Sequence, residues 1–96
     1  MDSTMNLEAM LPALKIDLNI SAQVYDERLL SRLQTAVERI GAMGITLGDS
    51  ESDRDLVLMY AAWLWRERVT GEGMGRMLQQ ALNYRLIGQT ARRADA

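Results

Sequence analysis

Apolar residues recur at three- and four-residue steps along most of the chain, which is the spacing of a helix that buries one face. The clearest example is the segment 25–43, where polar residues fill most of the positions between the apolar ones. Asp26 and Glu27 stand in its first turn, where the helix dipole favours acids, and Gly41 and Gly44 offer places for it to end. The pattern predicts an amphipathic helix over 25–43.

The segment 56–65 differs because all ten of its residues are apolar. Just before it, Ser52 is followed three residues later by Asp55, a pairing typical of a capping box at a helix start. We therefore predict a helix over about 53–69. A helix that is apolar on every side is covered by several neighbours, so this one is predicted to be central.

Two more helices complete the predicted fold. Gly71, Gly73 and Gly75 interrupt the chain, and a helical stripe then runs over about 74–90. Near the start, leucines at helical spacing predict a short helix over 12–18, with Pro12 at its first position, where a missing N–H has no intrahelical partner. The prediction is a single all-α domain, 1–96, with one short and three longer helices and loose ends at about 1–6 and 91–96.

The apolar stripes of the three longer helices converge on a predicted core. Its members are Leu30, Leu33, Val37, Leu56, Tyr60, Leu64, Leu78 and Leu82.

The composition limits the catalytic and metal-binding chemistry available to the chain, because it has neither Cys nor His. Disulfides, thiolate nucleophiles, Cys-based zinc sites and the commonest general base are thereby excluded, and we expect no enzyme activity, cofactor or metal. The longest apolar run is about half of what a bilayer span needs, and no secretory signal pattern is visible. We expect a soluble intracellular protein without a membrane partner.

Two local motifs resemble ligand-binding loops but lack residues that those loops require. The alternating carboxylates of 49–55 resemble the start of a calcium loop, but Arg54 stands where the sharp turn needs Gly, and Tyr60 stands where the loop needs Glu. The glycine-rich segment 71–76 precedes a helix, as a phosphate loop does, but no strand precedes it and Glu72 would repel an anion. We interpret them as a solvated capping loop and a helix connection.

Three further residues leave alternatives open. Trp63 and Trp65 diverge by about 200° on a helix, so they face different neighbours. Either both lie in the core or one packs at a subunit interface. Arg85 lies on the apolar face of the last helix, where it either extends to solvent or pairs with an acid.

Charge is distributed unevenly along the chain, with 10 acids and 5 bases in residues 1–55 but 3 acids and 6 bases in residues 56–96. Ten of the eleven bases are Arg, the base enriched at protein interfaces. The basic C-terminal part leaves a DNA-packaging or DNA-binding regulatory protein as an alternative. The acidic total and the single Lys disfavour specific DNA reading.

Several segments together resemble the small head–tail connector proteins of tailed phages and prophages. The likeness covers about residues 7–90 and departs from that group's pattern at Pro12 and Tyr84. Its strongest part is the run MYAAWL at 59–64 followed at a fixed distance by the turn TGEGM at 70–74. The supporting segments are DRDLVL (53–58), WR (65–66), RML (76–78), ALN (81–83), RL (85–86), YDERL (25–29), GITL (44–47) and a short first helix at 14–20.

The resemblance implies a structural protein of the virion. Such adaptors form a homo-oligomeric ring, commonly twelve-fold, beneath the portal protein at the head–tail junction during assembly in the host cytoplasm. We expect this chain to be weakly associated or monomeric in dilute solution and to close into the ring on the phage head. The ring carries the next neck or tail protein, and genome DNA passes through its channel without sequence-specific binding. Adaptable methionines and bidentate arginines at the glycine-rich turn, residues 70–77, predict the subunit or partner interface there, and a solvated turn is the alternative. Its predicted members are Arg66, Arg68, Glu72, Met74, Arg76 and Met77.

Overall fold

The computed structural model describes residues 5–71 and 73–94, apart from the side chains of residues 68–70 and 90–94. Within those ranges the chain is all-α, as predicted, and contains no strand. The elements in chain order are α1 (Leu7–Leu18), a single 3-10 turn (Gln23–Tyr25), α2 (Asp26–Ala42), α3 (Glu51–Thr70) and α4 (Arg76–Ala94).

The first helix begins five residues earlier than predicted, and Pro12 lies inside it rather than at its start. Asn6 is the N-cap, and its side chain accepts a hydrogen bond from the Ala9 N–H at 3.2 Å. Met10 and Leu14, one helical turn apart, are both buried against the other helices. Burying a side chain of this size contributes about 1.5 to 3 kcal/mol, so tertiary packing offsets the backbone bond that Pro12 cannot make.

The second helix agrees with its prediction to within one residue at each end. An ion pair between Lys15 Nζ and Asp26 Oδ1, at 2.7 Å, joins its first residue to α1. After α2, Gly44 adopts a φ of 99°, a left-handed conformation that residues with a Cβ rarely adopt. Gly44 therefore turns the chain away from the helix, whereas Gly41 lies within it.

The predicted cap of α3 was wrong by two residues. Ser50, not Ser52, is the N-cap, and its hydroxyl accepts a hydrogen bond from the Asp53 N–H at 3.1 Å. Ser50 and Asp53 have the same three-residue spacing as Ser52 and Asp55. The two registers look alike in sequence, and the burial of Asp53 accompanies the observed one.

The third helix is central, as its all-round apolar pattern predicts. It packs against α1, α2 and α4, and its contact with α2 is the most extensive in the molecule. Among its described side chains, the buried ones are Asp53, Leu56, Val57, Tyr60, Ala61, Ala62 and Leu64.

Six of the eight predicted core residues are buried, and two are not. Leu30 and Val37 are only half-buried, at the margin of the core. The α2 face that is completely buried lies one position away and consists of Leu29, Leu33, Ala36 and Ile40. Both sets have helical spacing, so the direction from which α1 and α3 approach α2 selects between them.

The described residues near the two ends of the chain extend the helical fold beyond the predicted bounds. Met5 is buried in the core and the side chain of Asn6 caps α1, so both residues contact the fold, and the looseness of the segment 1–6 stays a prediction. The last helix begins two residues later than predicted and continues to Ala94 instead of stopping at about residue 90. Residues 1–4 and 95–96 lie outside the described residues.

Candidate assembly surface

A buried ion pair fixes the last helix to the start of the central one. Asp53, in the first turn of α3, pairs through Oδ1 with Arg85 Nη2 of α4. Its other oxygen, Oδ2, accepts a hydrogen bond from the Gly48 N–H at 2.8 Å. The interpretation of Arg85 as the partner of an acid is therefore confirmed. Sequence reasoning did not identify which acid, because the two residues lie on different helices.

The charge on Asp53 is stabilised by its surroundings. Burial by itself would raise the pKa of Asp53, but hydrogen bonds from the Gly48 N–H, the Arg85 guanidinium and the Ser50 hydroxyl, together with the positive charge of Arg85, outweigh it. The resulting pKa lies below the ordinary value for an aspartate. Asp53 is therefore ionised at neutral pH, and the pair with Arg85 is a true ion pair.

The same side of α4 holds the loop between α2 and α3. Arg85 Nη2 donates a hydrogen bond to the Thr46 carbonyl at 3.3 Å. Gln89 makes two further hydrogen bonds, since its Oε1 accepts from the Thr46 N–H and its Nε2 donates to the Gly44 carbonyl, both at 2.7 Å. These bonds, together with the buried Leu78 and Leu82, determine the direction in which α4 leaves the turn.

The predicted interface residues separate into three groups in the structure. Arg66 at the end of α3 is exposed, as are Arg76 and Met77 at the start of α4. Met74 is half-buried and packs against the core, so much of its side chain contacts its own subunit. Glu72 and the side chain of Arg68 lie outside the described residues.

A groove of about 400 Å³ runs between α3 and α4 next to the glycine-rich turn. Met59, Ala62, Trp63 and Leu78 give it apolar walls, Arg66 and Glu67 add charge at the turn end, and Asp17 of α1 adds a carboxylate. Apolar walls with a few charged groups at one end suit an apolar side chain of a partner protein.

The two tryptophans face different neighbours, as their spacing predicts. The ring of Trp65 meets the ring of Tyr25 edge to face, with centroids 5.8 Å apart. The ring of Trp63 meets Tyr60 in the same way at 5.4 Å, and Trp63 also lines the groove. Both tryptophans are half-buried within the subunit, and a place for either at a subunit interface stays a prediction.

A second, more open groove of about 620 Å³ lies between α3 and α4 further from the turn. The carboxylates of Glu51 and Asp55 line it, together with Tyr84. Tyr84 and nearby Ile87 are large, exposed side chains that sequence reasoning did not select. The available signal was that Tyr84 and Ile87 follow Met77 by seven and ten residues, on a face of α4 that differs from the predicted core face.

Two of the alternating carboxylates of segment 49–55 bind arginines of the same chain. Asp53 pairs with Arg85, while Asp49 accepts a hydrogen bond from Arg54 Nη1 at 3.1 Å. No cluster of three or more carboxylates suited to a metal ion occurs among the described residues. In the same part of the chain, no helix combines the length and apolar character needed to cross a bilayer.

Comparison of the chain with protein-family models, with curated proteins and with solved structures finds no match in any of the three.

Proposed function

We propose that the chain is a structural adaptor of a tailed-phage or prophage virion. It joins identical copies in a ring, twelve-fold on the particle, between the portal protein and the next neck or tail protein. Genome DNA passes through that ring without sequence-specific binding. The role is mechanical and non-catalytic, and it is performed in the host cytoplasm during assembly and then in the virion at the head–tail junction.

The proposal rests on the different burial of the two segments that most resemble the connector proteins, MYAAWL at 59–64 and TGEGM at 70–74. In the first part, Tyr60, Ala61, Ala62 and Leu64 are buried and hold the helices together. In the turn that follows, Gly71 and Gly73 are exposed, and Met74 is half-buried against the core. The first part therefore supports the fold, and the turn is available for contact with other proteins.

The shape of the molecule suits such a role. Its extents are 47 × 34 × 18 Å, and the smallest is about the thickness of two packed helices. A flat subunit has narrow edges and two broad faces. In a closed ring each subunit contacts its neighbours through two different edges, which leaves both broad faces for the portal side and the tail side.

The first experiment asks whether the protein joins phage heads. A tagged copy is expressed during induction of the parent prophage, and heads that carry portal protein are isolated by sedimentation. We expect the tagged chain to sediment with those heads and to appear as a ring below the portal in electron micrographs. Its absence from the heads would contradict the connector function, and salt-dependent binding to free DNA in that case would favour the DNA-packaging alternative.

The second experiment tests the turn with a matched pair of charge reversals. Arg66→Glu changes an exposed arginine beside the turn, and Arg28→Glu changes an exposed arginine on α2. Both variants are expected to fold, as judged by circular dichroism. We expect particles with Arg66→Glu to lose DNA or to lack tails, and particles with Arg28→Glu to remain infectious. Equal infectivity of the two variants would exclude this end of α3 from the contact surface.

A further inference from the structure

The face of α4 directed away from the core carries three large apolar side chains. Met77, Tyr84 and Ile87 are 77%, 71% and 65% exposed. They are separated by seven and three residues and therefore form one stripe, in which the exposed Gln80 is the remaining member. On the opposite side of the helix, Leu78 and Leu82 are buried. We call the exposed set the outer stripe of α4.

The outer stripe matches a second copy of itself in one register. If two α4 helices lie antiparallel with residue 82 at the crossing point, Met77 of each copy lies opposite Ile87 of the other. The same register brings Gln80 opposite Tyr84, where an amide can hydrogen-bond a phenol. Both pairs therefore obey the rule for a two-fold interface, in which residue i contacts residue j and residue j contacts residue i.

The charges around the outer stripe fit the same arrangement. Arg76 at the start of α4 would come opposite Gly88, which has open space where a Cβ would be and borders a cleft with Ser50 and Ser52. The exposed carboxylates of Glu51 and Asp55 lie along the adjacent groove, on which Tyr84 also lies. Each copy would thus bring a guanidinium to the carboxylates of the other.

We propose that this face of α4 binds a second copy of the chain, so that the free protein forms an antiparallel α4–α4 dimer. The dimer goes beyond the ring proposed for the virion and uses a different symmetry. Met77 belongs to the outer stripe and also to the turn assigned to the ring. The dimer therefore covers part of the interface proposed for the ring. That part stays covered until binding to a phage head competes with the dimer contact.

Sedimentation equilibrium over a range of protein concentrations tests the dimer, with two identical substitutions as a matched pair. Ile87→Glu places a charge in the outer stripe, and Ile16→Glu makes the same change at a 79% exposed position on α1. We expect a monomer–dimer equilibrium whose Kd rises by about tenfold or more in Ile87→Glu and stays unchanged in Ile16→Glu. A wild-type chain that is monomeric at every concentration, or that grows into open chains, would overturn the proposal.

Disulfide trapping tests the register, and the chain is suited to it because it contains no cysteine. Met77→Cys and Ile87→Cys are made as separate variants and mixed before oxidation. The antiparallel register predicts a mixed disulfide between the two variants in preference to either homodimer. Preferential homodimers of both variants would indicate parallel helices and would overturn the register.

A charge exchange tests the flanking contacts. Arg76→Glu is expected to weaken the dimer, and adding Glu51→Arg to the same chain is expected to restore it, since each copy then carries both reversed charges. Failure of the second change to restore the dimer would remove this contact from the proposal.

The dimer and the connector function can fail separately. A chain that is monomeric in solution but still sediments with portal-bearing heads would overturn the dimer alone, and a dimeric chain that is absent from heads would overturn the connector alone.

Discussion

Asp53 and Arg85 form a buried ion pair that joins the first turn of α3 to the middle of α4. The side chain of Asp53 is almost completely covered, and that of Arg85 is one-quarter exposed. Because Arg85 also contacts the Thr46 carbonyl, the pair connects three parts of the fold: α3, α4 and the loop before α3. The ion pair therefore adds a polar contact to the apolar packing between α3 and α4.

Removing Arg85 should destabilise the fold far more than removing an exposed arginine that also has an acidic partner. We expect Arg85→Met to lower the free energy of unfolding by about 2 to 4 kcal/mol, because it leaves the Asp53 carboxylate buried without its counter-charge. Arg54→Met, which breaks a largely exposed pair with Asp49, should cost less than about 1 kcal/mol. Urea unfolding at neutral pH measures both free energies of unfolding. Equal losses of stability would contradict a larger contribution from the buried ion pair.

The same carboxylate should make stability depend on pH. The pKa of Asp53 is lower in the folded chain than its ordinary value of 3.8, so the folded state favours the ionised form. Its contribution to stability is therefore fully present above the unfolded pKa and is lost as pH falls through the folded pKa. We expect the stability difference between the wild type and Asp53→Asn to shrink below about pH 4 in urea titrations. A difference that stayed constant down to pH 2 would contradict the lowered pKa.

Two leucines on α2 should differ in their contribution to the core. Leu33 is completely buried, and Leu30 lies at the core margin. We expect Leu33→Ala to cost about 2 to 5 kcal/mol because it removes apolar contacts and leaves a cavity, and Leu30→Ala to cost clearly less. Thermal and urea unfolding of the two variants provide the comparison. A larger loss for Leu30→Ala would mean that α2 is rotated from the orientation described.

Two glycines near the end of α2 should respond in opposite directions to alanine. Gly41 lies inside the helix with open space around its Cβ position, so Gly41→Ala should stabilise the protein by up to about 1 kcal/mol. Gly44 has a φ of 99°, so Gly44→Ala should destabilise it by about 1 to 2 kcal/mol. Melting temperatures of the two variants check the sign of each effect.

The sequence by itself determined the helical class, the extent of α2 and the central position of α3. Each rests on a repeat of three and four residues or on an unbroken apolar run, and these signals are local. It also limited the chemistry, because no fold can supply an imidazole or a thiol that the chain lacks. Arg66, Arg76 and Met77 were selected for an interface from their side-chain chemistry beside the glycine-rich turn, and their exposure is a finding of the structure.

The tertiary structure selected between alternatives that the local sequence pattern does not distinguish. Two serines offered the same cap spacing, and the structure uses Ser50, whose partner Asp53 meets Arg85 from another helix. Two helical faces of α2 were similarly apolar, and the approach of α1 and α3 buried the one containing Leu29. The outer stripe of α4 is exposed because the face that carries Leu78 and Leu82 packs on the rest of the fold, and the structure leaves the other face uncovered. In each case the deciding energy comes from contacts between residues distant in sequence, which a pattern of near neighbours does not contain.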